Sequence, residues 1–304
     1  MNETITAIPG LRFGVAENRE ARTGCAVLIC ERGATAAAAV RGGAPGTREL
    51  AALRPGNLVK KAHAVLLTGG SAFGLDAAGG VMAYLEERGV GFQAGSVRVP
   101  IVPAAALFDL GVGDSRVRPD AAMGRAACEN ASSAPVQTGL VGPGIGATVG
   151  KAPGMTPSNG GLGSALKRGP RGLLVGAVVA VNAVGNVVDP STGGIVAGAR
   201  DPETGELTPF ELTGGFIERG GTGLNTTIGV VAANADLSQG ETYRMASMAH
   251  DGLARTIRPA HTLYDGDTLF ALALGGAEAD ANAAGTLAAE AIAEAVLAAV
   301  RPAS

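Results

Sequence analysis

In Gly223-Leu224-Asn225-Thr226-Thr227-Ile228-Gly229-Val230-Val231 a polar, glycine-rich segment passes without a break into an apolar run that begins at a hydroxyl residue. Upstream, residues 201–223 show neither helical nor strand periodicity and read as an exposed, mobile segment. Downstream, residues 228–233 (IGVVAA) read as a buried strand. A cut before Thr226 would leave its hydroxyl beside a free α-amine, a nucleophile carrying its own base. That amine ordinarily titrates at about 7.7–8.0, so a share of it is neutral at pH 7 and takes the hydroxyl proton directly or through a water. On spacing alone, the plain reading of Thr226 is a threonine at a strand start, where threonine is common.

Outward from this run, residues 241–257 read as a helix ending before Pro259, 268–274 as a strand and 284–300 as an alanine-rich helix. Residues 172–184 (GLLVGAVVAVNAV) form a long buried strand, with Gly185-Asn186 placed as a hairpin turn into Val187-Val188-Asp189. Residues 25–31 and 35–41 read as a hairpin around Arg32-Gly33-Ala34. Residues 63–68 are a buried strand, followed by a Gly69-Gly70-Ser71 turn and a helix over 72–88, with a second helix over 119–131. Residues 139–163 hold nine glycines and three prolines, too many for a regular element, and read as a functional loop or linker. Strands and helices fall in segregated blocks, which favours a sheet sandwich flanked by helices in an α+β domain.

Of 304 residues, 46% are apolar and 17% charged, which excludes a disordered chain. With 48 glycines and 3% aromatics, the core must be built from Ala, Val, Leu and Ile with close backbone contacts. A balance of 24 basic against 27 acidic residues, with no basic block, speaks against nucleic acid as a partner. No secretory pattern opens the sequence, so the cytoplasm is the expected location, and residues 172–188 fall short of a membrane span. Cys25, Cys30 and Cys128 form no CxxC pair; they read as buried, inert thiols, and neither a metal nor a cofactor is expected. The loop from Gly142 to Lys151 fails as a phosphate loop, because Ile145 and Ala152 stand where a glycine and a Ser or Thr are needed. Lys151 remains a candidate cation. His63 reads as a core residue, while His250 and His261 fit structural hydrogen-bonders equally well. No GxSxG elbow marks a Ser-His-Asp hydrolase.

The run GLNTTIGVVAANADL, followed by MASMAHDGLARTIRPAHTLYDGDTLFALALG, resembles the self-cleaving DmpA-type aminopeptidases, a family that includes β-peptidyl aminopeptidases and nylon-oligomer hydrolases. ITAIPGLRFG, RGGAPGTREL, HAVLLTGGSAFGLDAAGGVMAYLEERG, VPIVPAAALFDLG, GATVGK and VAVNAVGNVVD resemble family segments in the same order, so the likeness runs nearly end to end. The resemblance implies a four-layer αββα sandwich of the N-terminal-nucleophile type, shared with ornithine acetyltransferases. It also implies one catalytic domain over residues 1–304, cut into an α chain 1–225 and a β chain 226–304 that assemble as a homo-oligomer, commonly a tetramer. Carried over residue by residue, Thr226 is the nucleophile and Asn225-Thr226 the cut bond. Lys151 and Asn182 line the site as donors to the oxyanion or to the hydroxyl. Asp265 and Asp267 match an acidic pair, one orienting the α-ammonium and the other positioning Lys151. The implied activity is hydrolysis of small peptides or amides. The rivals are an acyltransferase of the ornithine acetyltransferase type, whose nucleophile motif is absent here, and a glycine-rich small-molecule-binding protein that never cleaves.

Overall fold

A computed structural model describes residues 2–209 and 225–301. Its main elements are β1 (Arg12–Asn18), β2 (Thr23–Val40), β3 (Gly46–Arg48), β4 (Lys61–Thr68), α1 (Ala77–Glu86), β5 (Ala104–Ala106) and α2 (Ala121–Glu129). They continue as β6 (Gly161–Arg168), β7 (Leu174–Asn182), β8 (Thr226–Ala235), α3 (Gln239–Thr256), β9 (Thr268–Ala277) and α4 (Ala281–Val300). The hydrogen-bonded strand order is β6-β7-β8-β9-β2-β4-β5-β3, with β1 also on β2. That path folds over on itself at β2. Residues 35–40 pair with β9, while residues 23–29 pair with β1 and residues 25–29 and 34–35 with β4.

Alternation along the strands then makes three apolar interfaces out of two sheets. Val178, Val230, Phe270, Leu272, Leu28, Val65 and Leu67 face one another between the sheets. Their chain neighbours Val179, Val231, Leu269 and Ala271 face outward and pack with Ala249, Leu253, Ile292 and Val296 of α3 and α4. On the other side Val27, Ile29, Ala64 and Leu66 pack with Val81, Leu85, Ala127 and Cys128 of α1 and α2. The order of layers is therefore helix, sheet, sheet, helix, as expected.

Small residues permit this spacing. A Cβ on Gly80 would lie 1.8 Å from the Ala121 carbonyl oxygen, and one on Gly163 would lie 1.9 Å from that of Ala295, so α1 meets α2, and α4 meets β6, backbone to backbone. Among the described residues, three of the four α-helix N-termini are closed by side chains: Asp120 accepts from Met123 N, Asp280 from Asn282 N and Ala283 N, and Ser238 forms a capping box with Glu241. By length and composition α4 could span a bilayer, yet Ala288, Ile292, Ala295 and Val296 are buried in the outer core.

Three sequence expectations are corrected. Residues 25–41 are not a hairpin but one long strand, because β4 runs beside both sides of Gly33 while β1 takes residues 23–29 and β9 residues 35–40; Gly33, at φ +71°, lies where the register against β4 shifts. Gly185-Asn186 does not return β7 on itself, since β6 and β8 already occupy both its edges. Asn186–Val188 instead joins Ile195–Ala197 and Ile257–Arg258 in a separate small sheet. The glycine-rich loop ends earlier than expected, at the start of β6. Most of the segment 201–223, expected to be exposed, lies outside the described residues. All three cysteines are unpaired and buried, and burial raises the thiol pKa of Cys30 and Cys128 to about 12.

Candidate active site

Thr226 is the first residue of β8, in the middle of its sheet, and its register partner on β7 is Asn182. Just before it, Asn225 bridges to Asp265 in the segment leading into β9. The start of β8 is thus held on both sides. Thr226 is 4% exposed, Asp265 1% and Asp267 2%.

The Thr226 hydroxyl donates to the carbonyl oxygen of Asn225, the residue before it. The Gly266 N–H donates to the same oxygen at 2.9 Å. The nucleophile's oxygen thus lies beside the carbonyl it would attack, and the Gly266 N–H is the donor that stays on that oxygen as an oxyanion forms. Gly266 is an enforced choice: a Cβ there would lie 2.6 Å from Ala44 O and 2.7 Å from Thr226 Oγ1.

Lys151 follows the buried glycine loop and points its Nζ at four oxygens: Asn182 Oδ1 at 2.9 Å, Thr148 O at 3.0 Å, Asn182 O at 3.1 Å and Ala183 O at 3.4 Å. Burial of this ammonium pulls its pKa down to about 7, against the opposing pull of the Asp265 carboxylate. Asn182 Oδ1 also accepts from Thr148 N at 3.0 Å, and its Nδ2 donates to Phe108 O at 2.9 Å. The next residue, Asp109, is a buried carboxylate accepting from Thr23 Oγ1 at 2.6 Å and Gly70 N at 2.7 Å, and its burial raises its pKa. In this way the second sheet reaches across to orient Asn182.

The two acids differ in what they hold. Asp265 accepts from Thr262 Oγ1 at 2.6 Å, Thr262 N at 2.9 Å and Val184 N at 3.4 Å. Burial, and then the neighbouring Asp267, raise its pKa. Asp267 accepts from Thr227 N at 2.8 Å through one oxygen, and from His261 Nδ1 at 2.7 Å and His261 N at 3.1 Å through the other.

The five expected site residues and Asn225 thus lie in one connected region, Thr226 with Asn182 across a strand pair, Lys151 on Asn182, and the acids on the loop that brackets Asn225. Sequence reasoning passed over Gly266, Asp109 and the part His261 takes. Gly266 stood between two named acids, and a glycine there signals close backbone approach. His63, by contrast, is buried in β4 with Nδ1 accepting from Ile101 N at 3.2 Å, the core role expected of it.

The sequence matches peptidase family S58 over residues 3–304. It is 46% identical over 276 residues to an uncharacterized aminopeptidase of Mycobacterium leprae, covering 86% of this chain and 73% of that protein. It is 36% identical over 273 residues to a 6-aminohexanoate-oligomer endohydrolase of Kocuria sp., covering 87% and 73% respectively. Among solved structures, the L-aminopeptidase D-Ala-esterase/amidase of Ochrobactrum anthropi superposes with a TM-score of 0.74 at 20% identity, covering 98% of this chain and 85% of that one. A Burkholderia sp. β-aminopeptidase superposes with a TM-score of 0.73 at 23% identity over 98% and 86%. The first of these is described as a variant of the Ntn hydrolase fold, and at such identities both likenesses speak to the fold alone.

Proposed function

The chain belongs to peptidase family S58 and is a hydrolase, and on that premise we propose that it cuts its own backbone before Thr226 and then uses the freed threonine to hydrolyse amide bonds. The observation that carries this reading is the shared Asn225 carbonyl oxygen, which takes the Thr226 hydroxyl and the Gly266 N–H together. In the uncut chain the Thr226 nitrogen is tied up in the peptide bond and cannot serve as base. Lys151, with a pKa of about 7 and seated on Thr226's strand partner, is neutral often enough to accept the hydroxyl proton. Thr226 Oγ1 adds to the Asn225 carbon, and Gly266 steadies the oxyanion. The C–N bond breaks, its nitrogen leaves with a proton as the new α-amine, and water hydrolyses the resulting ester to free the Asn225 carboxylate.

Turnover repeats the same chemistry with the α-amine as base. Thr226 attacks a substrate amide carbonyl, the amine product departs with the proton, and water releases the acyl group. Lys151 and Asn182 are the donors for the substrate oxyanion. Asp267 fixes the Thr227 N–H, and Asp265 biases Lys151 toward its charged form. The substrate class is small peptides or oligoamides, the range spanned by an aminopeptidase and a 6-aminohexanoate-oligomer endohydrolase among the relatives.

The proposal includes an α chain 1–225 and a β chain 226–304, about 22 and about 8 kDa when 29.9 kDa is divided by length, held together by core packing alone. The smaller piece would supply two central strands and two outer helices, which explains why it would stay. Assembly as a homo-oligomer, in family fashion a tetramer of αβ units, and a cytoplasmic location belong to the same reading; three buried, unpaired cysteines support the latter. Intact-mass analysis of wild type and Thr226→Ala, together with hydrolysis of a panel of aminoacyl p-nitroanilides, tests it. Wild type should show two fragments and turnover, and the alanine variant one folded, inactive chain. An alanine variant still cut at Asn225-Thr226, or still hydrolysing amides, overturns the nucleophile assignment.

A further inference from the structure

Asp267 is reached by a residue that the reaction as described does not use. His261 gives both its backbone N–H, at 3.1 Å, and its ring Nδ1, at 2.7 Å, to Asp267 Oδ2. A carboxylate only accepts, so Nδ1 carries the proton in this bond. The other carboxylate oxygen holds the Thr227 N–H at 2.8 Å, one residue past the nucleophile. With three donors on two oxygens, the Asp267 carboxylate has no rotational freedom left.

The histidine itself is held with unusual care. Its backbone sits at φ +60°, a left-handed conformation uncommon outside glycine, where Asn, Asp and His are the side chains most often found. Its ring meets that of His250 edge-on, with centroids 4.9 Å apart and planes 70° apart. His250 is wholly buried, donates Nε2–H to Ala39 O at 3.0 Å, and is kept neutral by burial, which lowers its pKa to about 4. The ring is thus placed by two contacts, Nδ1 on Asp267 and the edge-on meeting with His250.

We propose that His261 is a positioning residue for the nucleophile: it locks Asp267, Asp267 locks the Thr227 N–H, and the start of β8 is thereby fixed so that the Thr226 hydroxyl stays aimed. The inference rests on Thr226 being the nucleophile. It acts on orientation, so both self-cleavage and turnover depend on it, and substrate affinity does not.

Two substitutions separate this role from a merely structural one. His261→Gly suits the backbone conformation and removes the ring, so the fold is retained. His261→Asn also suits that conformation and returns an amide N–H near the place of Nδ1. Self-cleavage is followed by intact mass, and kcat and KM are measured on a p-nitroanilide, each per folded molecule as judged by circular dichroism. His261→Gly should slow self-cleavage and lower kcat by about 10- to 100-fold, with KM within twofold of wild type. His261→Asn should recover both rates to within about fivefold. In an Asp267→Asn background, His261→Gly should cost less than twofold more, because the two act in series. If His261→Gly leaves both rates within twofold of wild type, if the loss falls on KM, if His261→Asn rescues nothing, or if the double variant shows multiplied losses, the inference is overturned. These outcomes require a wild type that is cut before Thr226 and turns over amides; a wild type that does neither overturns the proposed function and this inference together.

Discussion

Replacing Gly266 by alanine puts a methyl carbon into the space between the nucleophile and the loop that faces it. That carbon would lie 2.6 Å from Ala44 O, 2.7 Å from Thr226 Oγ1 and 3.2 Å from the Pro45 Cα. Comfortable carbon–oxygen contact needs about 3.4 Å, so the hydroxyl or the loop must give way by about 0.7 Å. The Ala44 oxygen is backbone, in a residue whose N–H donates to Asp265 O at 2.8 Å, whereas the hydroxyl turns on a single side-chain torsion. Turning the hydroxyl relieves only its own contact, so Thr226 and the Ala44-Pro45 backbone are both displaced. A misplacement approaching 1 Å costs about 100-fold in an oriented reaction, so self-cleavage and turnover should both fall by about 30- to 100-fold. Overpacking of this kind costs about 1–3 kcal/mol, or only a few degrees of Tm in a chain of this size. The Gly266 N–H is retained, so the loss reports displacement and not deletion of the donor. The assay is a time course of intact mass on freshly purified protein, with Gly240→Ala as a control, since no atom lies within 4 Å of a Cβ there. Gly266→Ala cleaving within threefold of wild type, with its fold intact, would refute the argument that this contact fixes the hydroxyl.

Other substitutions probe the remaining groups. If neutral Lys151 accepts the first proton, the self-cleavage rate should rise with pH to a plateau with a midpoint at about 7. Asp265→Asn should move that midpoint down, because the carboxylate is what raises the lysine's pKa, and Lys151→Arg should abolish cleavage across the range; a flat profile would exclude Lys151 as base. In an uncut Thr226→Ala background the same lysine makes stability rise with pH between about 7 and about 10.5, where the unfolded chain still holds a proton that the folded chain has lost. Lys151→Met should remove that slope in thermal melts. Thr226→Ser keeps the oxygen and should retain both activities at a reduced rate, the lost methyl leaving the hydroxyl less restricted. Gly163→Ala, whose Cβ would lie 1.9 Å from Ala295 O, should lift α4 from β6 and cost about 3 kcal/mol or more, seen as a large fall in Tm.

The residue patterns showed much of this in advance, for reasons that can be named. Continuous apolar runs such as 174–182 and 228–233 read as strands because both their faces are buried, and α2, α3 and α4 carry their own caps. Periodicity could not report which strand lies beside which. Arg32-Gly33-Ala34 looks like a turn, and only β4, pairing on both sides of it, turns it into an irregularity within one strand. Strand β6 was hidden because Gly161 and Gly163 serve α4 and not the strand, so the sequence there looks like loop. At the candidate site, side chains with reactive groups stood out, including Thr226, Lys151 and the two acids. The Gly266 N–H and the Phe108 carbonyl did not, because backbone groups leave no trace in residue type. His261 was visible but had no meaning until its ring was found on Asp267.

Strand β2 belongs to both sheets, and this turns it into a caliper. Its second half lies beside β9, next to the elements that carry Thr226, while its first half carries Thr23, whose hydroxyl holds Asp109 beside the carbonyl that orients Asn182. Groups on both sides of the site are therefore tied to the two ends of one covalently continuous rod, with Gly33 between them. A change in the curvature at Gly33, or in the thickness of the layer built on Leu28, Val178 and Phe270, would therefore shift Thr23 and Asp109 relative to Thr226 without touching any residue of the site.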